Sequence, residues 1–269
     1  MEAIAEKYRV ESVARAVTLL GAFLRPPHRF GVTELSKATK LTKNQTFRLL
    51  QTLVQERLVV QDPDTRAYAL GYRLVELGAV AATGSTLVQI AAPVLDRLAA
   101  ETGEAVNLVV RDEELSAISV DKRDSRWRLQ ISTRVGARYG LHAGGTTKVL
   151  LAFSPPEAIE RYILTRSPLE RYTPYTITDP DALRAELATI REQGYGVSDQ
   201  DLDVGVCTVA APIYSVTDEV FAAVSVAVPV TRFGPKERCR YAKSTIAAAR
   251  EISLRYSAFG PGPPGSRGR

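Results

Sequence analysis

The sequence predicts an α+β protein of two domains: a small, mainly helical one at the N-terminus and a larger α/β one behind it. Three observations carry this. Apolar residues recur at helical spacing in three short stretches before Glu56. Two short extended runs joined by turn formers follow them. Beyond Ala105, strand-like runs have helical segments inserted between them, which favours an α+β sheet covered by helices over a strictly wound parallel one.

In the small domain, 8–71, Val13, Val17, Leu20 and Leu24 lie on one stripe. Glu11 to Arg25 therefore reads as a helix burying that stripe and closed by Pro26-Pro27. Thr33 to Thr39 reads as a second helix with Thr33 as its cap and Leu35 and Ala38 inward. Thr42 and Gln45 have capping-box spacing and open a third helix to about Glu56, with Phe47, Leu50, Leu53 and Val54 as its inner side. Leu58 to Gln61 and Ala67 to Leu70 form a hairpin across Asp62-Pro63-Asp64-Thr65-Arg66. Three short helices and a hairpin wing make a winged helix-turn-helix. A Leu- and Ala-rich helix over 72–84 leaves the module as a linker.

The larger domain, 85–258, opens on a helix over Leu87 to Ala100 with Val88, Ala91, Leu95 and Leu98 inward. Extended runs are predicted at Ala105 to Arg111, Leu115 to Asp121, Leu129 to Thr133, Val206 to Pro212 and Val220 to Val228. Helices are predicted at Thr146 to Phe153, Pro156 to Leu164, Pro180 to Gln193 and Pro235 to Ala258. The Pro/Gly/Arg-rich tail, 259–269, is expected to be disordered.

The chain has 269 residues, 45% hydrophobic and 24% charged, enough for one large core or two modest ones. Its apolar runs are too short to cross a bilayer and Met1 to Arg9 carries no signal-like stretch, so a cytoplasmic protein without a membrane partner is expected. Two cysteines and two histidines, without paired spacing, give no disulfide framework, no metal site and no cofactor. Residues 1–72 hold eleven Lys/Arg against seven Asp/Glu, which points the small domain toward a polyanion.

A helix that enters the major groove must bury one face and offer polar or basic side chains on the other. The third helix offers Asn44, Arg48, Gln51 and Gln55 at helical spacing, with Lys43 at its start. Asn and Gln pair with adenine edges, Arg with guanine, and Lys43 suits a phosphate. Thr42 and Gln45 begin the helix, Gln45 being divided between cap and base contact, and Arg66 sits near the tip of the wing. The plainer alternative is a solvated helix face.

In the larger domain, His142-Ala143-Gly144-Gly145-Thr146-Thr147-Lys148 is a glycine turn that opens a helix. Its free N–H groups and hydroxyls would hold a carboxylate; alternatively the glycines only permit close packing and Thr146 only caps. His142 is expected to be a structural hydrogen-bonding group and Cys207 a small buried apolar residue. Asp199, Asp201 and Asp203 alternate as along a solvated loop, and Trp127 belongs over a pocket or in an interface.

The segments "VESVARAVTLLGAF", "VTELSKATKLTKNQTFRLLQTLVQERLVVQDPDTRAYALGYRLVELG", "LHAGGTTKVLLAF" and "IREQGYGVSDQDLDVGVCTVAAPIYSVTDEVFAAVSVAVP" together resemble the IclR family of transcription regulators, over about residues 10 to 256. The resemblance implies a C-terminal GAF-like sensor domain and a pocket that includes Gly145, Thr146, Ser198, Thr208, Ser225 and Ala227. It implies dimers through the N-terminal domains, often paired into tetramers. Three positions differ from the common family pattern, an acid at Ser198, a cysteine at Thr208 and a serine at Ala227, so the ligand need not be inherited. Asn44-Gln45 replaces a small Ser-Thr pair, and Arg66-Ala67 stands where a Gly-Arg turn is common.

The expected function is a DNA-binding regulator, a repressor, whose hold on a palindromic double-stranded operator is modulated by a small organic or aromatic acid. Two alternatives stay open. One is a regulator with a non-functional pocket and constitutive DNA binding. The other is a DNA-tethered enzyme, against which stands the lack of a nucleophile elbow, zinc signature or dinucleotide fingerprint, leaving no catalytic residue to name.

Overall fold

The computed structural model describes residues 8–112, 115–129, 131 and 133–259. They divide into two compact units between Ala81 and Ala82. In the first, α1 (Glu11–Ala22), α2 (Val32–Thr39) and α3 (Lys43–Gln55) precede an antiparallel hairpin of β1 (Val59–Gln61) and β2 (Tyr68–Leu70), and α4 (Arg73–Gly84) follows. Leu19, Phe23, Leu35, Leu50, Leu53, Val59 and Tyr68 form its core.

The helices stand where periodicity placed them, but α1 is rotated, and of its expected stripe only Leu20 packs against the core. Val13, Val17 and Leu24 are exposed, Val17 by 62%, while Leu19 and Phe23 fill the core. The helix carries two adjacent apolar stripes of equal period, and the bulkier one, with the Phe23 ring, wins the interior. On α3, Phe47 is 48% exposed and Thr46 takes the inner place. Thr46 keeps its hydroxyl bonded to Thr42 O, so burying it costs little. At α2 the cap is Gly31 rather than Thr33: Glu34 reaches back to accept the Gly31 N–H at 2.7 Å, starting the helix one residue earlier, and Ala38 is exposed.

The second unit is a six-stranded antiparallel sheet between two helical layers. It opens on α5 (Thr86–Thr102) and continues through β3 (Ala105–Arg111), β4 (Ala117–Arg123), β5 (Arg138–Tyr139), α6 (Gly145–Ala152), α7 (Pro156–Arg166), α8 (Pro180–Gln193), β6 (Gly196–Asp199), β7 (Val206–Tyr214), β8 (Val220–Pro229), a 3₁₀ turn (Val230–Arg232) and α9 (Pro235–Phe259). The spatial order is β5-β4-β3-β8-β7-β6. One face packs on α5 and α9 through Leu95, Leu98, Ile252 and Tyr256. The other packs on α6, α7 and α8 through Val149, Leu151, Tyr162, Leu183 and Ile190.

The α+β character agrees with the sequence reading, and the antiparallel pairing is added by the structure. Two short strands, β5 and β6, escaped it because they are edge strands with few β-branched residues. Leu129, Ile131 and Thr133 are in no strand; Gln130 and Ser132 of that predicted run lie outside the described residues, as does the predicted disorder from Gly260 onward. Among the described residues no single helix is long and apolar enough to cross a membrane.

Candidate functional site

The first site is the outer face of α3. Thr42 Oγ1 accepts the Gln45 N–H at 3.2 Å and Gln45 Oε1 accepts the Thr42 N–H at 3.0 Å, so the two side chains fix the start of the helix. Lys43, Asn44 and Arg48 are exposed on the turns this box sets. Gln51 is half-buried and its amide donates to Tyr68 Oη at 3.4 Å, tying the helix to the hairpin. Phe47 adds exposed apolar surface to this face, beside Arg48 and Gln51, and the period-based reading had hidden it in the core. Such a ring can meet a thymine methyl.

The hairpin turn is built on Asp62. Its Oδ1 accepts the N–H groups of Asp64 and Thr65 at 3.0 and 2.8 Å, and the Thr65 N–H chiefly holds this carboxyl below the usual carboxylate range. Arg66 is exposed at φ +59°, the left-handed conformation that glycine adopts most readily. An arginine therefore occupies the backbone position where a glycine would be conformationally easier.

The second site lies on the sheet face covered by α6. Register makes it: Ser198, Thr208, Ala227 and Ala105 form one rung across β6, β7, β8 and β3, and Ala210, Ser225 and Asn107 belong to the next rung on the same face. The start of α6 sits against these rungs. A Cβ on Gly145 would lie 3.0 Å from Thr208 O, and Gly144 turns at φ +90°. Close packing thus needs both glycines, yet the turn also leaves donors open. No side chain caps α6, Thr146 is not its cap, and the N–H groups of Gly145, Thr146 and Thr147 have no carbonyl of the same helix to reach.

A cavity of about 90 Å³ opens here, and Gly145, Thr146, Ser198, Thr208, Ser225 and Ala227 all line it. Asn107, Tyr139, Thr147, Leu202 and Asp203 line it too. Ser225 Oγ is buried without a hydrogen-bond partner. Burial, and then the Asp203 carboxylate, push the Tyr139 phenol up from its ordinary pKa. Of these additional residues, Thr147 belongs to the glycine turn and Asp203 to the alternating acids already singled out, while Asn107 is a lone polar side chain in the apolar run of β3.

Two side chains brace the turn from behind. Tyr162 Oη accepts the N–H groups of Leu141 and His142 at 2.7 and 3.2 Å, so its own proton goes to His142 Nδ1 at 2.8 Å. His142 Nε2 then donates to Glu170 O at 2.8 Å, and the ring is fully occupied as a structural group. Lys148, 3% exposed, places Nζ 2.8 Å from both Asp201 and Glu186. Asp201 also accepts the Gly144 N–H at 2.9 Å. This corrects the solvated-loop reading of the alternating acids: Asp201 is buried because it holds the 199–206 segment to α6, while Asp199 and Asp203 remain exposed.

Cys207 is buried and donates to Asp199 Oδ1 at 3.3 Å, and burial followed by this carboxylate pushes its thiol up to about 12. Trp127 is not among the residues lining the cavity: the guanidinium groups of Arg126 and Arg232 lie over its ring, 4.8 and 5.4 Å from its centre. Among the described residues no three His, Cys, Asp or Glu side chains converge as a metal site.

Residues 12–63 match the family model for the IclR helix-turn-helix domain, and 79–254 match that for the bacterial transcriptional regulator IclR C-terminal domain. The chain is 32% identical to the HTH-type transcriptional regulator KdgR of Dickeya chrysanthemi, over 91% of its own length and 79% of that protein. It is 30% identical to the transcriptional repressor IclR of Escherichia coli, over 92% and 90%. Among solved structures, a regulator from Alicyclobacillus acidocaldarius superposes with a TM-score of 0.83 at 28% identity, covering 92% of this chain and 99% of that one. A homologue from Microbacterium hydrocarbonoxydans, solved with 4-hydroxybenzoate, gives 0.76 at 26%, covering 93% and 100%.

Proposed function

This chain belongs to the IclR family of bacterial transcriptional regulators, and from that premise we propose that its operator binding is set by a small carboxylic acid held at the start of α6. It is a transcriptional regulator with a helix-turn-helix unit and a C-terminal effector unit. In the reading offered here it is a cytoplasmic repressor. Asn44, Arg48 and Gln51 read base edges, with Phe47 beside them, and Lys43 and Arg66 contact phosphates. Thr42 and Gln45 fix the pitch at which α3 presents these groups.

The observation that carries the effector assignment is the conjunction of an uncapped helix start with the orphaned Ser225 hydroxyl in one cavity. A carboxylate there would take donors that have no other partner. The 4-hydroxybenzoate held by the Microbacterium hydrocarbonoxydans homologue supports an acid as the class. Val10, Val13 and Val17 on or beside α1 and Tyr72, Val75 and Val80 on or beside α4 remain exposed, which supports a homodimer, or a tetramer of two dimers, matching a palindromic double-stranded operator.

The test has two arms. Arg48→Ala in the full chain should weaken specific binding by about 1–3 kcal/mol and relax preference at one base pair, whereas Lys43→Ala should weaken all sequences alike and lower the salt slope by about 1. Unchanged affinity of the Arg48 variant at moderate salt would reject that readout. A panel of small carboxylates should raise the melting temperature of the full chain saturably, with the rise lost in Thr146→Val. A flat panel would favour constitutive DNA binding with a silent pocket, a reading that the altered Ser198, Thr208 and Ala227 positions keep in view.

A further inference from the structure

The cavity has two poles of opposite sign. At one end the free N–H groups of Gly145, Thr146 and Thr147 open α6, where a helix carries roughly half a positive charge. On the segment that Asp201 ties to α6, Asp203 also lines the cavity; burial, and then the Asp203 carboxylate, raise the Tyr139 phenol above its ordinary pKa. No lysine or arginine is among the described residues that line the space, and Arg134 is the cation whose charge reaches Tyr139. The segment bearing Asp203 is pre-formed: Val206 N–H donates to Asp203 O at 3.2 Å, Gln200 N–H to Val206 O at 2.9 Å, and Gly205 N–H to the Gln200 side chain at 3.0 Å.

A plain carboxylate satisfies only the first pole. A dicarboxylate would set its second charge against Asp203, where like charges disfavour each other. An acid with a donor on a neighbouring carbon satisfies both, since its carboxylate takes the α6 N–H groups and the orphaned Ser225 hydroxyl while its hydroxyl or ammonium donates to Asp203. The volume sets the size. At about 90 Å³ the cavity has several times the roughly 10–15 Å³ of free space that a single water needs, room enough for a small acid.

Resting on the assignment of this cavity as the effector site, we propose that the effector is a small acid bearing a hydroxyl or ammonium one or two carbons from its carboxylate, and that Asp203 selects for that donor. Four three-carbon acids of similar bulk separate the elements: lactate, alanine, propionate and malonate. In calorimetric titration of the full chain, lactate or alanine binds at least tenfold more tightly than propionate, and malonate binds most weakly. Asp203→Ala, at an exposed position, brings the preferred acid to within threefold of propionate. Asp203→Asn distinguishes the two donors, because an amide still accepts from a hydroxyl but no longer attracts an ammonium.

Propionate or malonate within threefold of the best donor-bearing acid would overturn the inference, as would an unchanged order in Asp203→Ala. Propionate binding that Thr146→Val abolishes, without preference for a donor, would overturn the inference and leave the effector site standing. No binding by any of the four acids, with the unmodified chain also silent toward larger carboxylates, would remove both.

Discussion

Ser225 Oγ lies in the sheet with no partner, a position at which natural proteins seldom leave a hydroxyl. If it serves a ligand, its removal should separate stability from binding. Ser225→Ala is expected to leave the unliganded protein as stable or about 1 kcal/mol more stable in chemical denaturation, while weakening acid binding at least fivefold. Loss of stability together with unchanged binding would make the hydroxyl structural. The two cysteines give a second residue-scale expectation. Cys239 is exposed, whereas Cys207 is buried with its thiol pushed up to about 12. One thiol per native chain should therefore react with a disulfide reagent at neutral pH, and Cys239→Ser should abolish the reaction. Gly145 and Thr146 were legible from the glycine turn itself, whereas Ser198, Thr208, Ser225 and Ala227 came only from the family resemblance. Asp203 and Tyr139 are separated in sequence by four elements and come to one cavity only when the sheet is assembled, so no spacing rule could pair them.

Elements were more legible than their orientation. The period of 3.6 found α1 and α3, because any helix of that composition has an apolar side. It could not tell which of two neighbouring stripes faces inward, and it placed Phe47 inside because ring burial is the commoner outcome. Buried ion pairs were invisible for a related reason: Lys148, Glu186 and Asp201 sit on three elements and each looks solvated alone. Lys148→Met should cost about 3–5 kcal/mol, since it strands a carboxylate that is almost wholly buried. Adding Asp201→Asn should recover part of that cost, and a double-variant cycle with no coupling would show that the pair does not join the 199–206 segment to α6.

At the scale of the whole molecule, one chain holds two units with separate cores and a set of exposed valines on the smaller one. Val17→Glu adds charge to the exposed stripe of α1 and should leave the helical content unchanged. It should shift sedimentation toward monomer and weaken binding to a two-site operator far more than to a half-site. An unchanged sedimentation profile would direct attention to another surface for assembly. The turn at 140–148 bears on the history of such a molecule. Tyr162 and Lys148, the side chains that hold it, are not among those lining the cavity, while Ser198, Thr208, Ser225 and Ala227 project from the sheet and take no part in those braces. Inheritance can rewrite that wall one codon at a time without loosening the turn. A descendant can thus come to answer a different metabolite while keeping the same response, and the signal is the more readily replaced part.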